Sequence, residues 1–143
     1  MRMLLIAALT LLASLAAPLA AAQERTPSPA GARVFIITPK NGATVHNPFA
    51  VKFGLKGMVI APAGTKAQNS GHHHLLIDTD PPADVNAPLP ATDKIVHFGK
   101  GQTETSLTLP AGKHTLQLLF ADATHIPHNP PLMSKKITIT VVQ

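Results

Sequence analysis

The sequence predicts an all-β, immunoglobulin-like antiparallel β-sandwich. Three observations carry that reading. Short runs of β-formers alternate apolar with polar residues at period two. Turn signals rich in Pro, Gly and Asn separate the runs at short spacing. No helical periodicity survives beyond the N-terminal apolar run.

Elements follow in order. The start, MRMLLIAALTLLASLAAPLAAAQ, is a basic residue (Arg2), an apolar run from Met3 to Ala17, then Pro18 and small residues. The run is shorter than the roughly 20 residues of a membrane span, and Ala20 and Ala22 suit a signal peptidase. Residues 1–22 are therefore expected to be a signal peptide and 23–32, QERTPSPAGA, a flexible tether. Residues 33–143 are expected to form the sandwich domain, with no membrane span after cleavage. The destination is the periplasm or the exterior.

RVFIIT (33–38) reads as the first strand, closed by the turn PKNGAT. In FAVKFGLKG, Phe49, Val51, Phe53 and Leu55 share one face and Lys52 and Lys56 the other, the pattern of a half-buried strand over 49–56. A loop leads to HHHLLIDT (72–79). The Pro-rich DPPADVNAPLPATDK is barred from a central strand, and KIVHF is a short edge piece. QTETSLTL (102–109), KHTLQLLFA (113–121) and KKITITVV (135–142) complete the strands, with THIPHNPPL expected as a loop.

Strands joined by hairpins alternate direction, so the loops before residue 72 and after residue 121 share one pole. That topology gathers His72, His73, His74, His97, His125 and His128 at one end and leaves His46 and His114 at the other. Imidazole is the commonest metal ligand and suits copper and zinc. On a strand, His72 and His74 point the same way and can chelate one ion. His97, His125 and His128 are the further candidate ligands. His73 is in phase with Leu75 and Ile77 and is expected at the rim of the core. Met58 and Met133 are candidate thioether ligands favouring copper, and Asp122 a candidate to orient an imidazole. Neutral imidazole is the ligand form, so binding is expected to fail below about pH 6.

Composition narrows the alternatives. The chain has no Cys, which removes disulfides and thiolate sites, and no Trp or Tyr. Its net charge of +5 is scattered, which argues against nucleic acid as a partner. The partner is expected to be a metal ion or an envelope protein or polymer.

The strings NSGHHHLLIDTD, HFGKGQTETSLTLPAGKHTLQLLFAD and HIPHNPPLMSKKITITV resemble a bacterial exported family described as a domain of unknown function. The resemblance spans about residues 33–142. It implies a small periplasmic β-sandwich and no particular activity.

The residues therefore point to a periplasmic domain binding copper or zinc for uptake, buffering or transfer. The alternative is a metal-free envelope interaction module whose histidines only order the loops. Catalysis is not expected. No G-x-S-x-G elbow is present, and Glu104 is the nearest candidate base for a zinc hydrolase.

Overall fold

The computed structural model describes residues 24–143, so the signal-peptide reading lies outside the described residues. The described residues are all-β, with ten strands in two packed sheets. Among the described residues no helix is long and apolar enough to cross a membrane.

The smaller sheet has the order β1-β3-β7: β1 (Arg33–Thr38), β3 (Phe49–Lys56) and β7 (Glu104–Leu107), all antiparallel. The larger sheet is built on β5 (Ser70–Ile77) and β8 (Gly112–Ala121), paired antiparallel from His72↔Ala121 to Ile77↔Leu116. Two short strands, β4 (Val59–Ile60) and β6 (Ile95–His97), divide the outer edge of β5. On the other edge of β8 lie β9 (Pro127–Met133) and β10 (Ile137–Val142), and β2 (Thr44–His46) runs parallel to β10.

The alternation read from the sequence decides what fills the space between the sheets. Phe49, Val51 and Phe53 from β3 meet Leu75 and Ile77 from β5, Leu116, Leu118 and Phe120 from β8, and Ile137, Ile139 and Val141 from β10. Truncating one of these central side chains, such as Leu118, costs about 2–5 kcal/mol through lost burial and the cavity left behind.

A second, smaller cluster lies on the outer face of the larger sheet. Leu76, Ile95, Leu119 and Ala121 pack there under Leu89 of the Pro-rich link. That cover is why all eight residues of β5 are buried, on both faces. The link crosses to the smaller sheet only after β6, where Phe98 enters the core edge-on to Phe53 at 4.8 Å between ring centres.

Two segments differ from the sequence expectation. THIPHNPPL was expected as a loop, yet Pro127–Met133 forms β9. Its prolines are tolerated because β9 pairs irregularly with β8 on one side and meets only an isolated bridge, Pro27 to Asn129, beside it. Residues 25–28, within the expected tether, have fixed partners. Ser28 N donates to Asn129 O at 2.9 Å, and Asn129 N donates to Thr26 O at 2.9 Å. Arg25 donates to the carbonyls of Pro127 and His128.

Without disulfides, polar side chains pin the turns. Asn47 donates to Leu109 O at 2.7 Å and accepts from Leu109 N at 3.1 Å. At the pole away from the histidine triplet, Asp78 accepts from His114 Nδ1 at 2.6 Å and from Thr115 N at 2.8 Å. The Asp78 hydrogen bond raises the His114 pKa above 6.5 against the opposing effect of burial. Burial opposes ionisation of Asp78, but the hydrogen bonds from His114 and Thr115 hold its pKa below 3.8. The Asp78 contribution is present above 3.8 and lost as pH falls through its lowered value. The His114 contribution is full below 6.5 and lost as pH rises through its raised value. Asp78→Asn is therefore expected to lower stability by about 1 kcal/mol or less, the pair being partly solvent-screened. The deficit should be largest between pH 4 and 6.5 by thermal melts and shrink above it.

Candidate metal centre

Strand β5 presents its histidines by simple alternation. His73 points into the inter-sheet core, tilted against Phe53 and edge-on to Phe120, each at 5.1 Å between ring centres. It lies on the opposite face from His72 and His74 and takes no part in their grouping. His72 and His74 face outward, yet are 0% and 1% exposed because the link and the β8–β9 turn cover them.

The third imidazole comes by strand pairing. His97 of β6 is the direct cross-strand partner of His74, so both rings lie on the same face. Gly99 makes room for it. A Cβ at that position would lie 2.3 Å from Cε1 and 2.6 Å from Nε2 of His97.

The fourth comes from the turn between β8 and β9. Asp122 builds that turn. Its Oδ1 accepts from Thr124 N at 2.9 Å, Thr124 Oγ1 at 2.8 Å and Ile126 N at 3.1 Å, and its Oδ2 from Thr26 Oγ1 at 2.7 Å. His125 N closes the turn on Asp122 O at 3.0 Å, with His125 at φ +67°. Leu89 N of the link donates to His125 O at 2.8 Å. Asp122 thus positions the backbone that carries His125 rather than binding an imidazole.

One ligand nitrogen from each of His72, His74, His97 and His125 lies within 4.8 Å of all the others. His72 Nε2 lies 3.0 Å from His125 Nδ1. Imidazoles around one ion, with metal–nitrogen bonds of about 2.0–2.1 Å, place their nitrogens roughly 3–4 Å apart.

The electrostatics suit a ligand set. Burial pushes the His72 pKa down to about 4, with neighbouring His125 and His97 adding to it. Burial and then His72, His97 and His125 push His74 down to about 3. Burial also lowers His97, reinforced by His125. These imidazoles are neutral at pH 7, which is the form that coordinates metal. Both nitrogens of His74, Nδ1 of His72 and Nε2 of His97 are buried without a hydrogen-bond partner from the protein. Buried polar atoms are ordinarily paired; each neutral ring offers one lone pair beside its N–H, and a shared cation would satisfy that lone pair.

The remaining sequence candidates lie elsewhere. His128 is fully buried and stacks on Phe120 at 5.7 Å, and its Nε2 bonds the carbonyl of Ser70 at 3.1 Å. Met58 packs against the inter-sheet core. Met133 is on β9, across β8 from β5, and is 40% exposed. Glu104 belongs to the other sheet, 3.9 Å from Lys52. The group gathers where β5 begins and β8 ends, as the hairpin argument expects, but on the outer face of the larger sheet. Burial of that face by the link was the signal missed. Leu89, an isolated apolar residue in a Pro-rich stretch, could have given it.

Two outcomes follow. In Gly99→Ala the new methyl displaces the His97 ring, and its NMR resonances should shift while the melting temperature changes little. The metal-free protein should also lose stability as pH falls from 7 to 4. The unfolded chain takes up protons near pH 6.5, whereas native His72, His73 and His74 resist them down to about 4, 4 and 3. The combined loss is several kcal/mol, a large share of the about 5–15 kcal/mol that holds a domain folded. Calorimetric melts across that range measure it, and a flat profile would show the imidazoles to be solvated.

A search of curated proteins and of solved structures finds no match to this chain. A family model described as a domain of unknown function (DUF4399) matches residues 51–142, which hold β5, β6 and the β8–β9 turn with all four imidazoles, and the chain belongs to that family.

Proposed function

We propose that the protein is an exported, periplasmic metal-binding domain that takes up, buffers or passes on copper or zinc. The observation that carries this reading is the convergence of His72, His74, His97 and His125 within 4.8 Å. Three separate segments contribute to it, and strand propensity alone requires no histidine at any of these positions. The loop-ordering alternative needs the rings to bond the backbone of the loops they order. Among the described residues, apart from the His72–His125 contact, no ring hydrogen bond ties the four to a loop.

The arrangement suits holding and exchange. His72 and His74 are fixed on a central, fully covered strand, whereas His97 and His125 are partly exposed. An ion would load and leave past the latter two. Export is the expected route because of the N-terminal apolar run and its small-residue cleavage site.

Isothermal titration of the purified protein with Zn(II) and with Cu(II) tests the reading. One ion per chain is expected, with binding lost by at least about a hundredfold, about 2.7 kcal/mol, in a His72→Ala/His74→Ala double mutant. Bound metal should also raise the melting temperature, and chelator should reverse the rise. Burial lowers the pKa of His72, His74 and His97, so proton competition at these three rings sets in below the range of free imidazole. Equal weak binding by wild type and double mutant would overturn the proposal.

A further inference from the structure

The ring centres of the four imidazoles define a shape. Five of the six pairs are 4.7–5.1 Å apart, and the sixth, His74–His125, is 6.0 Å. A tetrahedron makes all six separations equal, at roughly 5 Å for metal–nitrogen bonds of about 2.0–2.1 Å. A square plane instead requires two long opposite pairs that share no residue, each roughly 6 Å, and four short ones. The partner of the one long pair would be His72–His97, which is 4.9 Å. The set is therefore tetrahedral and not planar.

We propose, on the metal-binding reading above, that His72, His74, His97 and His125 form a closed tetrahedral site for Zn(II). The geometry suits an ion with a filled d shell, which has no directional preference, and opposes Cu(II), which favours a tetragonal arrangement. Cu(I) also has a filled shell, but soft thioether or thiolate ligands select it. The chain has no Cys, and neither Met58 nor Met133 joins the group.

The protein scaffold enforces the shape. His74 and His97 are locked by cross-strand pairing, and His72 by its place on the same strand. His125 approaches from a turn that Asp122 braces with three hydrogen bonds to one carboxylate oxygen. A freely adjusting set of four imidazoles would flatten around Cu(II) and bind it more tightly than Zn(II), following the usual divalent order. Here the pairing of β6 with β5 and the braced turn hold the backbones of all four residues in place against flattening. With four protein ligands, no position is left for a metal-bound water, which separates a holding site from a hydrolytic one.

Cobalt(II) reports coordination number directly. The purified protein titrated with Co(II) is expected to develop the intense visible bands of a four-coordinate ion, saturating at one equivalent. One equivalent of Zn(II) should abolish them. The weak bands of six-coordinate Co(II), with Zn(II) still binding, would overturn the tetrahedral assignment and leave metal binding standing. Tighter Cu(II) than Zn(II) binding, with a tetragonal electron paramagnetic resonance spectrum, would do the same. Failure of Co(II), Zn(II) and Cu(II) alike to bind would overturn both.

Discussion

The architecture depends on the pairing of β5 with β8. This ladder makes β5 a central strand, and the alternation of side chains then sends His73 one way and His72 and His74 the other. A slip of one residue would place two imidazoles in the hydrophobic core and one on the outer face. Gly71 helps hold the register. A Cβ there would sit 2.2 Å from the carbonyl oxygen of Ala121, so the two backbones approach more closely than any side chain permits. From this ladder follow the inter-sheet core on one side and the histidine group on the other.

Gathering imidazoles under cover works against charge. A protonated imidazole among three others, out of water, is repelled by its neighbours and poorly solvated, so burial favours the neutral ring. The same conditions favour a coordinated cation, because the ring lone pairs replace the water that burial removes. His73 shares the low pKa, through burial and then His72, but lies on the other face of the strand. Set against Phe53 and Phe120, it serves as a flat packing unit within the aromatic part of the core.

Two carboxylates do comparable work at opposite ends of the domain. Asp122 organises the β8–β9 turn and, through Thr26, ties the N-terminal segment to it. Asp78, at φ +53°, closes the end of β5 onto the start of β8. With no disulfide available, such locally satisfied side chains set the ends of the strands, while the core provides most of the stability. Ser134 acts in the same way between β9 and β10, donating to Lys135 O and accepting from Leu118 N.

By itself the sequence determined the fold class, six principal strands and the inward face of those after the first, because period-two alternation is a local property that burial on one side imposes. It also determined that His72 and His74 share a face and that His73 does not. The meeting of His97 and His125 with them followed from hairpin topology. Three things only the tertiary structure decided. His128 turned into the core against Phe120, Pro127–Met133 paired as an edge strand, and the Pro-rich link folded back over the outer face to bury it. Each depends on contacts between residues far apart in the chain, and a folded-back cover leaves no periodic trace in the segment that makes it.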